Sequence, residues 1–91
     1  MWSIEFTQRS VYDLKKLDLS TRRRIVKYLE EHLTGKKNPR DFGKPLQGKL
    51  HSFWRYRVGS YRIICTINDE KLTVLMIHVA HRSSIYERFN P

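Results

Sequence analysis

Cysteine is nearly absent: Cys65 is the only one in 91 residues. One thiol cannot close an internal disulfide, which suits a reducing cytoplasm, and it removes any cysteine-based zinc site. No run of 18 apolar residues exists, so no membrane span is expected. The opening MWSIEFTQRS has no basic head followed by an apolar stretch, so it does not read as a signal peptide. Acid is scarce as well. Nine carboxylates face 18 lysines and arginines, a formal charge of +9. They are scattered along the chain, and Phe42 to Asn68 holds none. No Gly-rich phosphate loop, HExxH motif or zinc-spaced pair is present, so a metal centre or bound cofactor is not expected.

What remains fits one domain over residues 1–91. Apolar residues make up 40% and charged residues 30%, a globular rather than a disordered balance. A field of +9 on so short a chain points to a polyanionic or acidic partner.

The pattern predicts a small α+β fold. Trp2, Ile4 and Phe6 alternate with polar residues, the mark of a half-buried strand. Thr7 can cap a helix carrying Val11, Leu14 and Leu17. Ser20 can cap a second, with Ile25, Tyr28, Leu29, His32 and Leu33 as its stripe and Gly35 at its end. The short connection makes the two an antiparallel helical pair. Residues 35–48 gather Gly35, Pro39, Gly43, Pro45 and Gly48 and read as a long loop. Three β-rich runs follow as an antiparallel meander, with a final helical turn over 83–89.

Gly59-Ser60 reads as a two-residue hairpin turn, and this sets a register. Val58 faces Tyr61, Arg57 faces Arg62, Tyr56 faces Ile63 and Arg55 faces Ile64. Alternation then puts Trp54, Tyr56, Val58, Tyr61, Ile63 and Cys65 on the face that the helices cover. Phe53, Arg55, Arg57, Arg62, Ile64 and Thr66 share the other. Opposed like charges repel across strands, so Arg57 and Arg62 imply an anion between or above them, and Arg forks suit phosphate. If Asp69-Glu70 is also a two-residue turn, His81 joins this face, Ile77 faces Arg62, and Ile64, Leu75 and Ile77 form an apolar strip beside the arginines. That strip reads either as a second small core under the 35–48 loop or as a docking strip for a partner. Arg82 joins the face if the last strand has ended or bulged there. Lys44 and Lys49 add charge, and Arg22, Arg23 and Arg24 open the second helix as a secondary basic surface. With no carboxylate cluster on the face, phosphodiester cleavage there would be metal-free, which favours RNA and its 2′-hydroxyl. Arg would stabilise the charge building on phosphorus, and His81 or Tyr86 would move protons.

The element order, with GKPLQGKLHSFWRYRVGSYRIICTINDEKL and a late HRSSIY, resembles the RelE/ParE superfamily of small toxins, the RelE branch most strongly. The resemblance covers essentially the whole chain. It implies a toxin that enters the ribosomal A site and cleaves mRNA without metal or cofactor, neutralised by a RelB-like antitoxin; the charge of +9 predicts that the antitoxin's toxin-binding segment is acidic. It also implies a cytoplasmic, monomeric free toxin that forms a hetero-oligomer with that antitoxin. Carried over residue by residue, the family's basic set falls on Arg55, Arg57, Arg62 and Arg82, and its tyrosine on Tyr86. His81 stands where some relatives have lysine. A ParE-like gyrase inhibitor without nuclease activity, or an inactive RNA- or antitoxin-binding relative, is the alternative.

Overall fold

The computed structural model describes residues 1–87 and 89. Its elements are β1 (Ser3–Phe6), α1 (Gln8–Lys15), α2 (Leu19–His32), β2 (Lys44–Pro45), β3 (Phe53–Val58), β4 (Tyr61–Asn68) and β5 (Thr73–His81). The sheet order is β1-β5-β4-β3-β2. β1 runs parallel to β5 and every other pair is antiparallel. Among the described residues no helix is long and apolar enough to cross a membrane.

Thr7 caps α1 as its composition predicts, its side chain accepting from the Ser10 amide at 3.1 Å. The cap of α2 is Asp18, not Ser20. Its carboxylate accepts from the Thr21 amide at 3.1 Å and the Thr21 hydroxyl at 2.6 Å. Those bonds hold the Asp18 carboxyl below the usual carboxylate range. The helix stops at His32, with Leu33 as its C-cap, before Gly35 is reached. Gly35, at φ +81°, instead exchanges backbone hydrogen bonds with Trp2.

The helices cover one sheet face. Leu14, Ile25, Leu29 and Leu33 meet Tyr56, Val58, Ile63, Cys65, Val74, Met76 and Val79 there. Cys65 is fully buried, and burial pushes its thiol far up, as for an unreactive core residue. Val11 and Phe6, expected inside, are 38% and 45% exposed, and Ser10 takes the buried place on α1.

The 35–48 segment is more regular than its glycines and prolines imply. A 3₁₀ turn at Pro39–Asp41 leads into the edge strand β2, where Lys44 pairs with Arg55 and Pro45 with Trp54. Proline is tolerated in such an edge strand. A second 3₁₀ turn follows at Gly48–Leu50. Arg40 forks onto Asp69 at 2.7 and 2.8 Å, and the buried Tyr56 hydroxyl donates to the Pro39 carbonyl at 2.8 Å. Gly43 lies where a Cβ would come 2.7 Å from Tyr56 Cε1 and 2.8 Å from the Arg55 carbonyl oxygen. Gly43→Ala is therefore expected to push β2 off the sheet at a cost of about 1–3 kcal/mol. A lower urea midpoint with an unchanged slope would show it; an unchanged midpoint would refute it.

Beyond the sheet's second face lies the small core foreseen as one of two readings of that face. Leu46, Ile64 and Ile85 are buried there, with Leu50, Phe53, Ala80 and Phe89 packed around them. Ile64 is thus covered by the chain itself, while Leu75 and Ile77 stay half-buried. Residues 83–87 form successive turns rather than a helix, and the part of the expected helical turn at Arg88 lies outside the described residues.

Candidate RNA-binding site

The hairpin pairs as the two-residue turn requires. Arg57 stands opposite Arg62, with Tyr56 opposite Ile63 and Arg55 opposite Ile64. Gly59 supplies the positive φ of +58° that the turn needs at its first central position. Arg57 and Arg62 consequently lie side by side on the face away from the helices.

The β4–β5 connection departs from the expectation. Its turn is four residues long, from Asp69 to Leu72, and Leu72 takes φ +47°. A β-bulge then shifts the register between Ile64 and Cys65: Cys65 pairs with Met76, but Ile64 pairs with His78. The extra residue on β5 is Ile77; the longer turn slides β5 by two residues and the bulge by one more, so Ala80 rather than Ile77 faces Arg62. His81 falls opposite Tyr61 and on its face of the sheet, the side away from the arginines. Its ring meets Tyr61 edge-on at 5.6 Å, and its Nδ1 lies 2.8 Å from the Ser83 hydroxyl. There it lines an open groove with Tyr12 and Asp13.

Arg82 follows the end of β5, its backbone N–H held by the Ser60 carbonyl at 2.7 Å. Partial burial lowers the Arg62 pKa below the usual arginine range, and the charges of Arg57, Arg55 and Arg82 lower it further, while Tyr86 opposes them. Arg62 Nη1 donates to the Gly59 and Tyr61 carbonyls, both at 3.0 Å. Arg55 Nη1 lies 3.4 Å from the Tyr86 hydroxyl, which is the acceptor. Tyr86, Lys44, Leu46 and Arg55 line one shallow cleft. Asp41 borders a second cleft with Lys44, Arg55 and Arg57, a carboxylate that the strand pattern could not place. Among the described residues none of Arg55, Arg57, Arg62 and Arg82 enters an ion pair. Nor is there a group of three or more His, Cys, Asp or Glu that could hold a metal.

The remaining cations divide. Lys49 sits on the exposed 3₁₀ turn at Gly48–Leu50, and Arg23 is exposed on α2. Arg22 is not a free basic residue. Its guanidinium donates to the carbonyls of Leu14, Lys15 and Leu17 at 3.0, 3.3 and 3.1 Å, satisfying the C-terminal end of α1.

Reasoning from sequence also missed a buried polar pair. Asp13 accepts from His78 Nδ1 at 2.7 Å and from the Val79 amide at 3.0 Å. Asp13 falls on α1 one residue before the buried Leu14, the only hint the sequence carried.

The model of the ParE toxin of type II toxin–antitoxin systems matches residues 4–86. Toxin RelG of Mycobacterium tuberculosis is 33% identical over 87 residues, 96% of this chain and 98% of RelG. The toxin–antitoxin complex RelBE2 of the same organism superposes with a TM-score of 0.76 at 30% identity, over 89% of this chain and 98% of that one. The RelB–RelE antitoxin–toxin complex of Methanococcus jannaschii gives 0.67 at 30% identity, over 93% and 98%. With nearly its whole length matched, and with relatives named as RelE-type toxins, the chain belongs to the RelE/ParE superfamily as a RelE-family toxin of a toxin–antitoxin system.

Proposed function

We propose that this toxin is a metal-independent endoribonuclease that cleaves mRNA in the ribosomal A site. The observation that carries the reading is the arginine face: Arg57 and Arg62 pair across the hairpin, Arg55 shares their side, and Arg82 is held at the hairpin turn by its backbone, none of the four in an ion pair among the described residues. Such a face holds phosphate. Arg57, Arg62 and Arg82 grip the scissile phosphate, and Arg55 with Lys44 strengthens the field. The RNA 2′-hydroxyl attacks the adjacent phosphorus while its proton passes to a base. The 5′-oxygen leaves with a proton from an acid, yielding a 2′,3′-cyclic phosphate and a 5′-hydroxyl. The arginines stabilise the charge on the pentavalent phosphorus. Of the two proton carriers expected from sequence, Tyr86 stands against Arg55 and His81 faces the other way. Tyr86 is therefore the acid–base group of this proposal.

The test is a ribosome-programmed cleavage assay. Products with a cyclic or 3′-phosphate and a 5′-hydroxyl are expected; 5′-phosphate ends would require another mechanism. The name of the matching family model favours a second reading, inhibition of DNA gyrase. Inhibited supercoiling with untouched translation would establish it in place of the first.

The partner of this proposal is a RelB-like antitoxin whose toxin-binding segment is acidic and covers Arg57 and Arg62. Acting on ribosomes places the toxin in the cytoplasm. Raising salt from about 0.05 to 0.5 M is expected to slow association tenfold or more and leave dissociation nearly unchanged, because steering is screened. An on-rate indifferent to salt in stopped-flow mixing would refute this account of neutralisation.

A further inference from the structure

The three arginines that open α2 meet different fates. Arg22 turns back to the carbonyls of α1, and Arg23 is exposed. Arg24 lies against the β3–β4 turn. A Cβ at Gly59 would come 2.7 Å from Arg24 Nη1 and 3.1 Å from its Cζ, so the guanidinium fills the space that glycine leaves open. From the sheet face, Arg62 Nη1 donates to the carbonyl of the same Gly59 at 3.0 Å. One turn thus has a guanidinium from α2 and a guanidinium from β4 against it. Among the described residues Arg24 forms no ion pair, and Glu31 further along α2 is taken by Lys27 at 3.8 Å.

The turn is the tip of the strand pair that carries Arg57 and Arg62. A polyanion leaving their face over this tip meets Arg24 next. We propose that Arg24 is a second phosphate-binding residue, holding a backbone phosphate of the same single-stranded RNA beside the one gripped by Arg57 and Arg62. The proposal rests on the RNA reading of that face and extends its footprint from the sheet onto α2. A phosphate above the turn also answers the two like charges gathered there.

The experiment measures binding of uncleavable 2′-O-methyl RNA to the full chain by fluorescence anisotropy across a salt series. A trinucleotide and a strand of roughly ten nucleotides are compared, the longer within the usual footprint of a small single-strand site. Arg24→Ala is expected to weaken the longer strand about fivefold to tenfold near 0.05 M salt and to lower its log–log salt slope by about 0.7, one phosphate contact. The trinucleotide should bind as before. Lys71→Ala, an equal charge change in the turn at the other end of β4, should leave the slope unaltered. An Arg24→Ala slope equal to that of Lys71→Ala, or an equal loss for both RNA lengths, would overturn the proposal. Arg57→Ala and Arg62→Ala are measured beside it. If they weaken binding and Arg24→Ala does not, only the second contact is wrong; if none of the three matters, the RNA reading itself fails.

Discussion

Arg62→Ala and Arg82→Ala are each expected to lower mRNA cleavage by roughly 10²–10³-fold, the usual loss when one donor to a developing negative charge is removed. Among the described residues Arg62 has no carboxylate partner, and its own hydrogen bonds go to the local carbonyls of Gly59 and Tyr61. Arg82 is exposed just after the end of β5. Neither side chain belongs to the two cores, so folding should survive. The loss should stop short of abolition, because three guanidinium groups remain after either change. Single-turnover cleavage on programmed ribosomes, with circular dichroism to confirm the fold, measures it. Wild-type cleavage by folded Arg62→Ala protein would show that this arginine does not stabilise the transition state.

Asp13→Ala is expected to destabilise the protein by about 2–6 kcal/mol, because it strands two buried donors at roughly 1–3 kcal/mol each. β1 pairs with β5 only as far as Met76, so among the described residues the following part of β5 has no neighbouring strand on that edge. The Asp13 carboxylate takes that place, accepting the Val79 amide and His78 Nδ1. The His78 side chain is 6% exposed and that of Asp13 11%, so water cannot readily replace the lost acceptor. The other His78 ring nitrogen has no hydrogen-bond partner among the described residues, so Asp13 supplies the ring's hydrogen bond while Phe89 stacks on it at 6.1 Å. For a domain of this size each kcal/mol lowers Tm by about 4–8 °C, so a drop of at least 8 °C is expected. Asp13→Asn keeps one acceptor and should fall between. A Tm for Asp13→Ala within a few degrees of the parent would mean that the pair contributes little.

The α+β class, the helix-covered face and the three arginines of the first hairpin were legible before any coordinates. Their signals are local. Gly59-Ser60 dictates which residues pair, and a side-chain period of two then sorts Arg55, Arg57 and Arg62 onto one side. Nothing distant can alter that result without breaking the turn. Whether Ile64 belonged to a docking strip or to a second core was open, because the covering residues Leu46 and Ile85 lie far away in the chain.

The last strand shows the opposite case. A four-residue turn and one bulge separate its true register from the simplest one, and a single inserted residue changes which side chain faces which side. That is why His81 lies against Tyr61, while Arg82, just past the strand's end, is held at the first hairpin's turn by the Ser60 carbonyl. Arg22 and Asp13 were equally hidden. A charge run looks the same whether a guanidinium faces solvent or caps another helix, and a lone aspartate on α1 does not announce a histidine 65 residues away. The sequence by itself determined the basic face, because turn chemistry and strand alternation act over a few residues. Only the tertiary structure decided which further groups join it, because bulges, caps and buried pairs depend on elements that meet only when the sheet closes.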